Sequence, residues 1–201
     1  MVNIGIQDCT YDLGVDEAVA RAQAAGILVV SIAGNLDLEC PPQVYPWTDS
    51  PGAHGVTYPG KYQGVITVSG TDVNDTFAAG GTYCPNSTFR DGSRHGPQVT
   101  VAAPFWSYGM REGGTWHCGK GTSFAAPAVA GVLALIWTAY PSWPASAVRE
   151  NLITAAVDMG GNRHDEYRGY GRVSAWRFFS TVPPTVTISG WSAVRNGEQC
   201  T

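Results

Sequence analysis

The stretch Gly121-Thr-Ser-Phe-Ala-Ala-Pro-Ala-Val-Ala-Gly131 is the most informative part of this 201-residue chain. Small and apolar residues follow Ser123 and predict a buried helix that begins at this serine. The first backbone N–H groups of such a helix, and the positive end of its dipole, would face the Ser123 hydroxyl. The stretch therefore predicts a nucleophile placed where negative charge can develop on a nearby oxygen.

The composition favours a globular chain with a sizeable core. Apolar residues make up 44% and charged residues 14% of the chain, and the formal net charge is −4. No basic cluster is present in the sequence, which argues against a nucleic-acid partner. The uncharged helix expected over 124–140 contains Pro127 and Gly131 and is short for a membrane span. We therefore expect a core helix and no membrane partner.

The cysteines are dispersed and indicate an oxidising compartment. They contain no C-x-x-C pair, and they lie at Cys9, Cys40, Cys84, Cys118 and Cys200. We expect the disulfides Cys9–Cys40 and Cys84–Cys118, with Cys200 bonded to a residue beyond this chain. Five free buried thiols are the alternative. The first reading predicts a secreted or extracellular protein, or a periplasmic one.

Apolar strands alternate with helical patterns along most of the chain. The strand candidates cover 2–6, 27–33, 65–69 and 98–102, and the helices cover 16–25, the stretch after Ser123, and 147–156. Gly26 would end the first helix and Ser142 would cap the third. Because the strands are continuously apolar, we predict an α/β fold with a parallel sheet covered by helices.

A boundary is expected near Pro183-Pro184. The segment 185–190 alternates apolar and polar residues, as a half-buried strand does. Residues 182–201 are too few for a domain, so we interpret them as a linker and the first strand of a truncated β-sandwich-like module. A frayed tail is the alternative.

Five motifs in register resemble those of the subtilisin-like serine proteases (subtilases, peptidase S8 type). The nucleophile motif is Gly121-Thr-Ser-x-Ala-x-Pro-x-Val-Ala-Gly, and the others are Val29-Val-Ser-Ile-Ala-Gly-Asn35, Tyr58-Pro-Gly-Lys-Tyr with Val65-Ile-Thr-Val-Ser, Val99-Thr-Val-Ala-Ala-Pro104 and Gly169-Tyr-Gly-Arg-Val-Ser-Ala175. The resemblance implies the three-layer subtilisin-like fold with a mostly parallel sheet. It also implies that residues 1–181 form a partial catalytic domain, truncated at its N-terminal side.

The resemblance assigns roles to particular residues. Ser123 would be the nucleophile of a serine endopeptidase, and the Asn35 amide would share the oxyanion hole with the Ser123 backbone N–H. The substrate, a peptide or protein, would be bound along the cleft by Gly5, Ile6 and Gln7, by the pocket wall of Ala33 and Gly34, and by the pocket floor at Thr57. No cofactor is needed for this chemistry. Subtilases often bind structural calcium, but no Asp-rich ligand cluster can be assigned here.

The chain departs from the family pattern at the catalytic Asp and His. In the family both precede the oxyanion asparagine, but only 34 residues precede Asn35 and none of them is histidine. The histidines follow Asn35, at His54, His95, His117 and His164, of which His117 is closest to Ser123 in sequence. We therefore expect a piece of a longer secreted protease, inactive alone, whose partner is the missing N-terminal part of its own catalytic domain.

Three other functions remain open at this point. A pseudoprotease or peptide-binding module would share the fold but lack the base. A sedolisin-type acid protease also has Gly-Thr-Ser at its nucleophile, but it uses aspartate where this chain has Asn35. An α/β-hydrolase with a downstream base such as His164 would need Gly-x-Ser-x-Gly, a pattern that Ala125 interrupts.

Overall fold

A four-stranded parallel sheet forms the centre of the molecule. The computed structural model describes residues 1–37, 40, 55–79, 92–110, 112–160 and 163–183. The strands β1 (Val2–Ile4), β2 (Val29–Ile32), β3 (Ile66–Thr71) and β4 (Val99–Pro104) lie side by side in chain order. All three neighbouring pairs are parallel. The predicted α/β class and parallel sheet are confirmed.

Strand β2 shows why the fold has three layers. Its four residues are all buried, and successive side chains point to opposite faces of the sheet. Val29 packs with Val19 of α1 (Leu13–Ala24) on one face. Val30 and Ile32 belong to the larger cluster on the other face. The continuous apolar run in the sequence thus covers both faces of a central strand.

The second face of the sheet carries the remaining helices, α2 (Thr122–Ala139), α3 (Ala145–Thr154) and α4 (Ala175–Thr181). By length and composition α2 could cross a membrane. It instead buries one side in the main core, through Ala125, Ala126, Val129, Leu133 and Ile136. The prediction of a core helix is confirmed.

An antiparallel hairpin that the sequence pattern did not reveal precedes α2. Strands β5 (Trp106–Met110) and β6 (Trp116–Lys120) pair along their full length. The backbone N–H of Gly121 then donates to the carbonyl of Phe105 at 2.9 Å. This bond ties the two ends of the hairpin together and sets the direction in which α2 begins.

Two helix boundaries differ from the prediction. Helix α1 begins at Leu13 because the Asp12 side chain accepts the Val15 N–H as an N-cap. Gly26, with φ of 73°, follows its end as expected. The prediction that Ser142 caps α3 is wrong: Pro144 occupies the N-cap position, without a side-chain bond.

The disulfide predictions are tested in part. Cys9 and Cys40 are bonded, as expected, and Cys118 is also disulfide-bonded. Cys84 and Cys200 lie outside the described residues, as does the strand predicted over 185–190. The separate module predicted over 182–201 therefore stays a prediction.

Candidate active site

The candidate site lies where the carboxyl ends of β1 and β2 meet the N-terminus of α2. Gly5 directly follows β1, Asn35 lies three residues beyond the end of β2, and Ser123 is the second residue of α2. Ligand sites of parallel sheets form at this edge, because loops from several strands converge there. The fold thus brings together three segments that are far apart in sequence.

Ser123 is exposed at the mouth of its helix. Its hydroxyl donates to the Gly5 carbonyl at 3.2 Å. Within the described part of the chain, the Ser123 backbone N–H donates to no protein acceptor. No acidic residue occupies the first turn of α2. The helix therefore presents an unpaired donor and the positive end of its dipole beside the hydroxyl.

Asn35 contacts the residue next to Ser123. Its Oδ1 accepts hydrogen bonds from the Thr122 backbone N–H at 2.8 Å and from the Thr122 hydroxyl at 2.9 Å. These bonds determine which end of the amide is the oxygen. On the other end, Nδ2 lies 3.4 Å from the point where a Cβ on Gly121 would be. This separation is ordinary van der Waals contact, and it is the φ of Gly121, 118°, that favours glycine at this position.

Arg94 supports the Asn35 turn from inside the protein. Only 1% of this residue is exposed. Its Nε donates to the Asn35 carbonyl at 3.0 Å, and its Nη1 donates to the Gly55 carbonyl at 3.2 Å. Burial, and then the positive charge of Arg94, lower the pKa of Lys61. Arg94 was not predicted from the sequence, because 59 positions separate it from Asn35 and no local pattern indicates the contact.

The residues expected to bind substrate surround the same turn. Ala33, Gly34 and Thr57 are buried, whereas Ile6 is 71% exposed. Thr57 donates to the Ala33 carbonyl through its backbone N–H at 2.9 Å and its hydroxyl at 3.2 Å. The Gln7 side chain accepts the Asn35 N–H at 2.6 Å. The predicted cleft residues are thus neighbours, and their roles toward substrate stay predictions.

None of the described histidines accepts the Ser123 hydroxyl, which donates to the Gly5 carbonyl. His117 is exposed on β6. His95 stacks on Tyr167 with a ring separation of 4.4 Å, and burial lowers its pKa. His164 Nε2 lies 2.9 Å from the Val99 carbonyl. His54 lies outside the described residues.

The acidic side chains of the loop after β3 are already engaged. Asp72 accepts the backbone N–H groups of Asn74 and Thr76. Asp75 forms an ion pair with Arg172 at 2.7 Å. Across the described ranges, no group of three or more His, Cys, Asp or Glu side chains converges as a metal site. A calcium site accordingly has no assigned ligands.

Comparison with known proteins places this geometry in a family. Residues 5–171 match the model of the subtilase family, peptidase S8. The chain is 32% identical over 162 residues to subtilisin DY of Bacillus licheniformis, a match that covers 80% of this chain and 50% of that protein. It is 30% identical over 161 residues to a thermostable alkaline protease of Halalkalibacterium halodurans, covering 80% of this chain and 37% of that protein. The chain thus spans half or less of the length of these relatives.

Solved structures show the same likeness. A structure described as an S41 psychrophilic protease superposes with a TM-score of 0.63 at 25% identity, covering 86% of this chain and 56% of that one. A lanthipeptide protease superposes with a TM-score of 0.67 at 20% identity, covering 90% and 61%, and supports the fold alone. From the family match, the aligned motifs and the shared fold, this chain belongs to the subtilase family of S8-type serine peptidases.

Proposed function

We propose that Ser123 is the nucleophile of a peptide-bond hydrolase and that Asn35 Nδ2 and the Ser123 backbone N–H form its oxyanion hole. The observation that carries this proposal is the pair of bonds from Thr122 to Asn35 Oδ1. They hold the Asn35 amide beside Ser123. Because both bonds go to the amide oxygen, the N–H₂ group makes neither of them. Two donors aimed at one developing oxyanion are what acyl transfer requires.

The chemistry follows from these groups. The Ser123 Oγ attacks the scissile carbonyl carbon and gives up its proton to a base, and the carbonyl oxygen takes the negative charge between the two donors. Collapse of this intermediate breaks the C–N bond. The amine takes the proton back from the base and departs, and the acyl group remains on Ser123 as an ester. Water then attacks the ester by the same route, and Ser123 regains its proton.

The base and its orienting carboxylate are proposed to come from the N-terminal part of the family's catalytic domain. The Ser123 hydroxyl donates to the Gly5 carbonyl and to no described histidine, and the relatives are at least twice as long as the matched region. On α2, Phe124 is 38% and Leu135 is 54% exposed, which is unusual for the central helix of a core. We expect that part to cover this face, and we expect the 201 residues alone to be inactive.

The protein is proposed to act outside the cytoplasm on peptide or protein substrates. The Cys9–Cys40 disulfide supports an oxidising compartment, either extracellular or periplasmic. The names of the relatives, subtilisin DY and alkaline protease among them, agree with a protein-degrading role.

A peptide-binding pseudoprotease is the second candidate. It is favoured by one observation, namely that the Ser123 hydroxyl bonds a backbone carbonyl rather than a described histidine. Such a protein would retain the cleft and the oxyanion turn without turnover.

Labelling with a fluorophosphonate separates these two functions. We expect the full-length product to be labelled at Ser123 and Ser123→Ala to be unlabelled. Ser180→Ala is a matched control, because Ser180 is an exposed helical serine whose hydroxyl also donates to a backbone carbonyl. Equal labelling of wild type and Ser123→Ala would refute the nucleophile assignment, and no labelling of either would favour the pseudoprotease.

A further inference from the structure

We propose that Gln7 closes the primary specificity pocket, so that the protease selects glycine, alanine or serine as the residue before the scissile bond. This inference rests on the proposed function. It concerns the space between two cleft segments, the residues after β1 and the turn after β2, that the proposed mechanism does not use.

The Gln7 side chain spans that space. Its Oε1 accepts the Asn35 backbone N–H at 2.6 Å, and its Nε2 donates to Asp37 Oδ1 at 3.0 Å. The second bond is to a carboxylate, which makes it stronger than a bond between neutral groups. Both ends of the amide are therefore held on the segment opposite to its own, and the side chain acts as a bar across the pocket.

The region beside Gly34 is filled from three directions. A Cβ placed on Gly34 would lie 3.0 Å from Gln7 Oε1 and 2.9 Å from Arg94 Cδ, and it would overlap the Thr57 hydroxyl. Ala33 and Thr57, the expected wall and floor, are both 0% exposed. Ala33 is also covered by Val56 and Val99, so the contribution of Gln7 is its position as one of the three side chains nearest to the Cβ position of Gly34.

Displacing Gln7 would be costly for a large substrate side chain. The Asn35 N–H would lose its acceptor in a half-buried position, and an unmade hydrogen bond there disfavours binding by more than the bond itself contributes. A substrate residue whose side chain is only a hydrogen atom or a methyl group does not need to displace Gln7. Substrates with a small residue at this position keep the bar in place, and aromatic ones must break it.

The test uses full-length protein and two peptidyl diphenyl phosphonates that differ only in alanine or phenylalanine at the reacting residue. In each reaction a bond forms between Ser123 Oγ and phosphorus, and phenoxide leaves. We expect wild type to react at least about tenfold faster with the alanine probe. Gln7→Ala should raise the rate with the phenylalanine probe about tenfold, since the obstructing amide is gone.

Gln23→Ala is the matched control. Gln23 is also half-buried, and its amide also bridges to another segment, at the Gln63 carbonyl, but it lies on α1. The Gln23→Ala variant should show the same preference between the two probes as wild type. Asp37→Ala, which removes one anchor of Gln7, should shift the preference in the same direction as Gln7→Ala but less.

The outcomes distinguish this inference from the function on which it rests. If a fluorophosphonate, which carries no side chain, fails to label Ser123, both the function and the pocket proposal are overturned. If it labels Ser123 but wild type reacts as fast with the phenylalanine probe, only the closed pocket is wrong. The same holds if Gln7→Ala leaves the preference unchanged.

Discussion

The two sides of the candidate site are built differently. The turn from Ala33 to Asn35 is held by the buried Arg94, by Gln7 and by Thr122, through hydrogen bonds of 2.6 to 3.0 Å. Ser123, by contrast, is exposed and makes one side-chain bond, of 3.2 Å. The Asn35 amide, which would stabilise the charge, is held by several short hydrogen bonds. The Ser123 hydroxyl, which would react, makes one longer bond.

This difference matches what the proposed role of each group requires. Oxyanion donors contribute most when they are already oriented, because no reorganisation is then needed as charge develops. A nucleophile must leave its resting hydrogen bond to attack, so a weak one suits it. The structure therefore concentrates its hydrogen bonds on Asn35, and substitutions around Asn35 should affect stability more than a substitution of Ser123.

The largest effect on activity apart from loss of the nucleophile is expected at Asn35. In the full-length enzyme, Asn35→Ala should lower kcat about 10²- to 10³-fold with a small change in KM, a magnitude taken from another member of this family. Asn35→Asp keeps the acceptor for Thr122 but replaces the donor, so it should be at least as impaired. Steady-state kinetics on one peptide substrate would measure this, and a loss in kcat below threefold would exclude the two-donor arrangement.

The largest effect on stability is expected at Arg94. Arg94→Met leaves the carbonyls of Asn35 and Gly55 without these donors and should lower the free energy of unfolding by about 3 kcal/mol. Arg21→Met is the control, since its pair with Glu17 is long and exposed, and it should change stability by less than about 0.5 kcal/mol. Urea unfolding would compare them, and equal losses would contradict the support assigned to Arg94.

A smaller effect is expected at Thr122. Thr122→Val removes the hydroxyl donor but keeps the backbone N–H, so the Asn35 amide loses one of its two restraints. We expect kcat to fall about tenfold, because the donor is oriented for less of the time. Thr122→Ser retains the hydroxyl and should stay near wild type. If Thr122→Ser were slow and Thr122→Val stayed near wild type, packing of the methyl group rather than the hydrogen bond would be responsible.

The smallest effect is expected from His95, which belongs to neither side. Burial lowers the pKa of His95 below its usual 6.5. The unfolded chain therefore binds this proton at a higher pH than the folded protein, and stability should decrease as the pH falls below about 6.5. His95→Phe should flatten this part of the curve of unfolding free energy against pH. An unchanged curve would contradict a folded-state pKa below the unfolded one.

Much of the fold could be predicted because the pattern of the strands is local. The β-branched run that contains β2 indicates a strand covered on both faces, and the structure gives that strand two different hydrophobic neighbourhoods. The β5–β6 hairpin was missed although Trp106, Tyr108 and Met110 alternate with Ser107 and Gly109 as in a strand. Strand β6 carries no clear alternation of its own, so the pairing partner was not evident from the sequence.

Only those residues of the candidate site that lie inside family motifs could be predicted from the sequence. The flanking residues of Ser123 and Asn35 predict their roles, and the fold brings the two residues together through Thr122. Arg94 could not be found in this way, since a lone arginine in a polar loop reads as a surface residue. The bar formed by Gln7 was also invisible, because its bonds to Asn35 and Asp37 depend on how two separate loops are placed.

The central claim is that Asn35 and Ser123 face one reacting carbonyl, and a crystal structure of the full-length protein after fluorophosphonate labelling would test it most directly. We expect phosphorus on Ser123 Oγ and the phosphoryl oxygen about 3 Å from both Asn35 Nδ2 and the Ser123 backbone N. A phosphoryl oxygen that points into solvent, with the Asn35 amide beyond hydrogen-bonding distance, would contradict it.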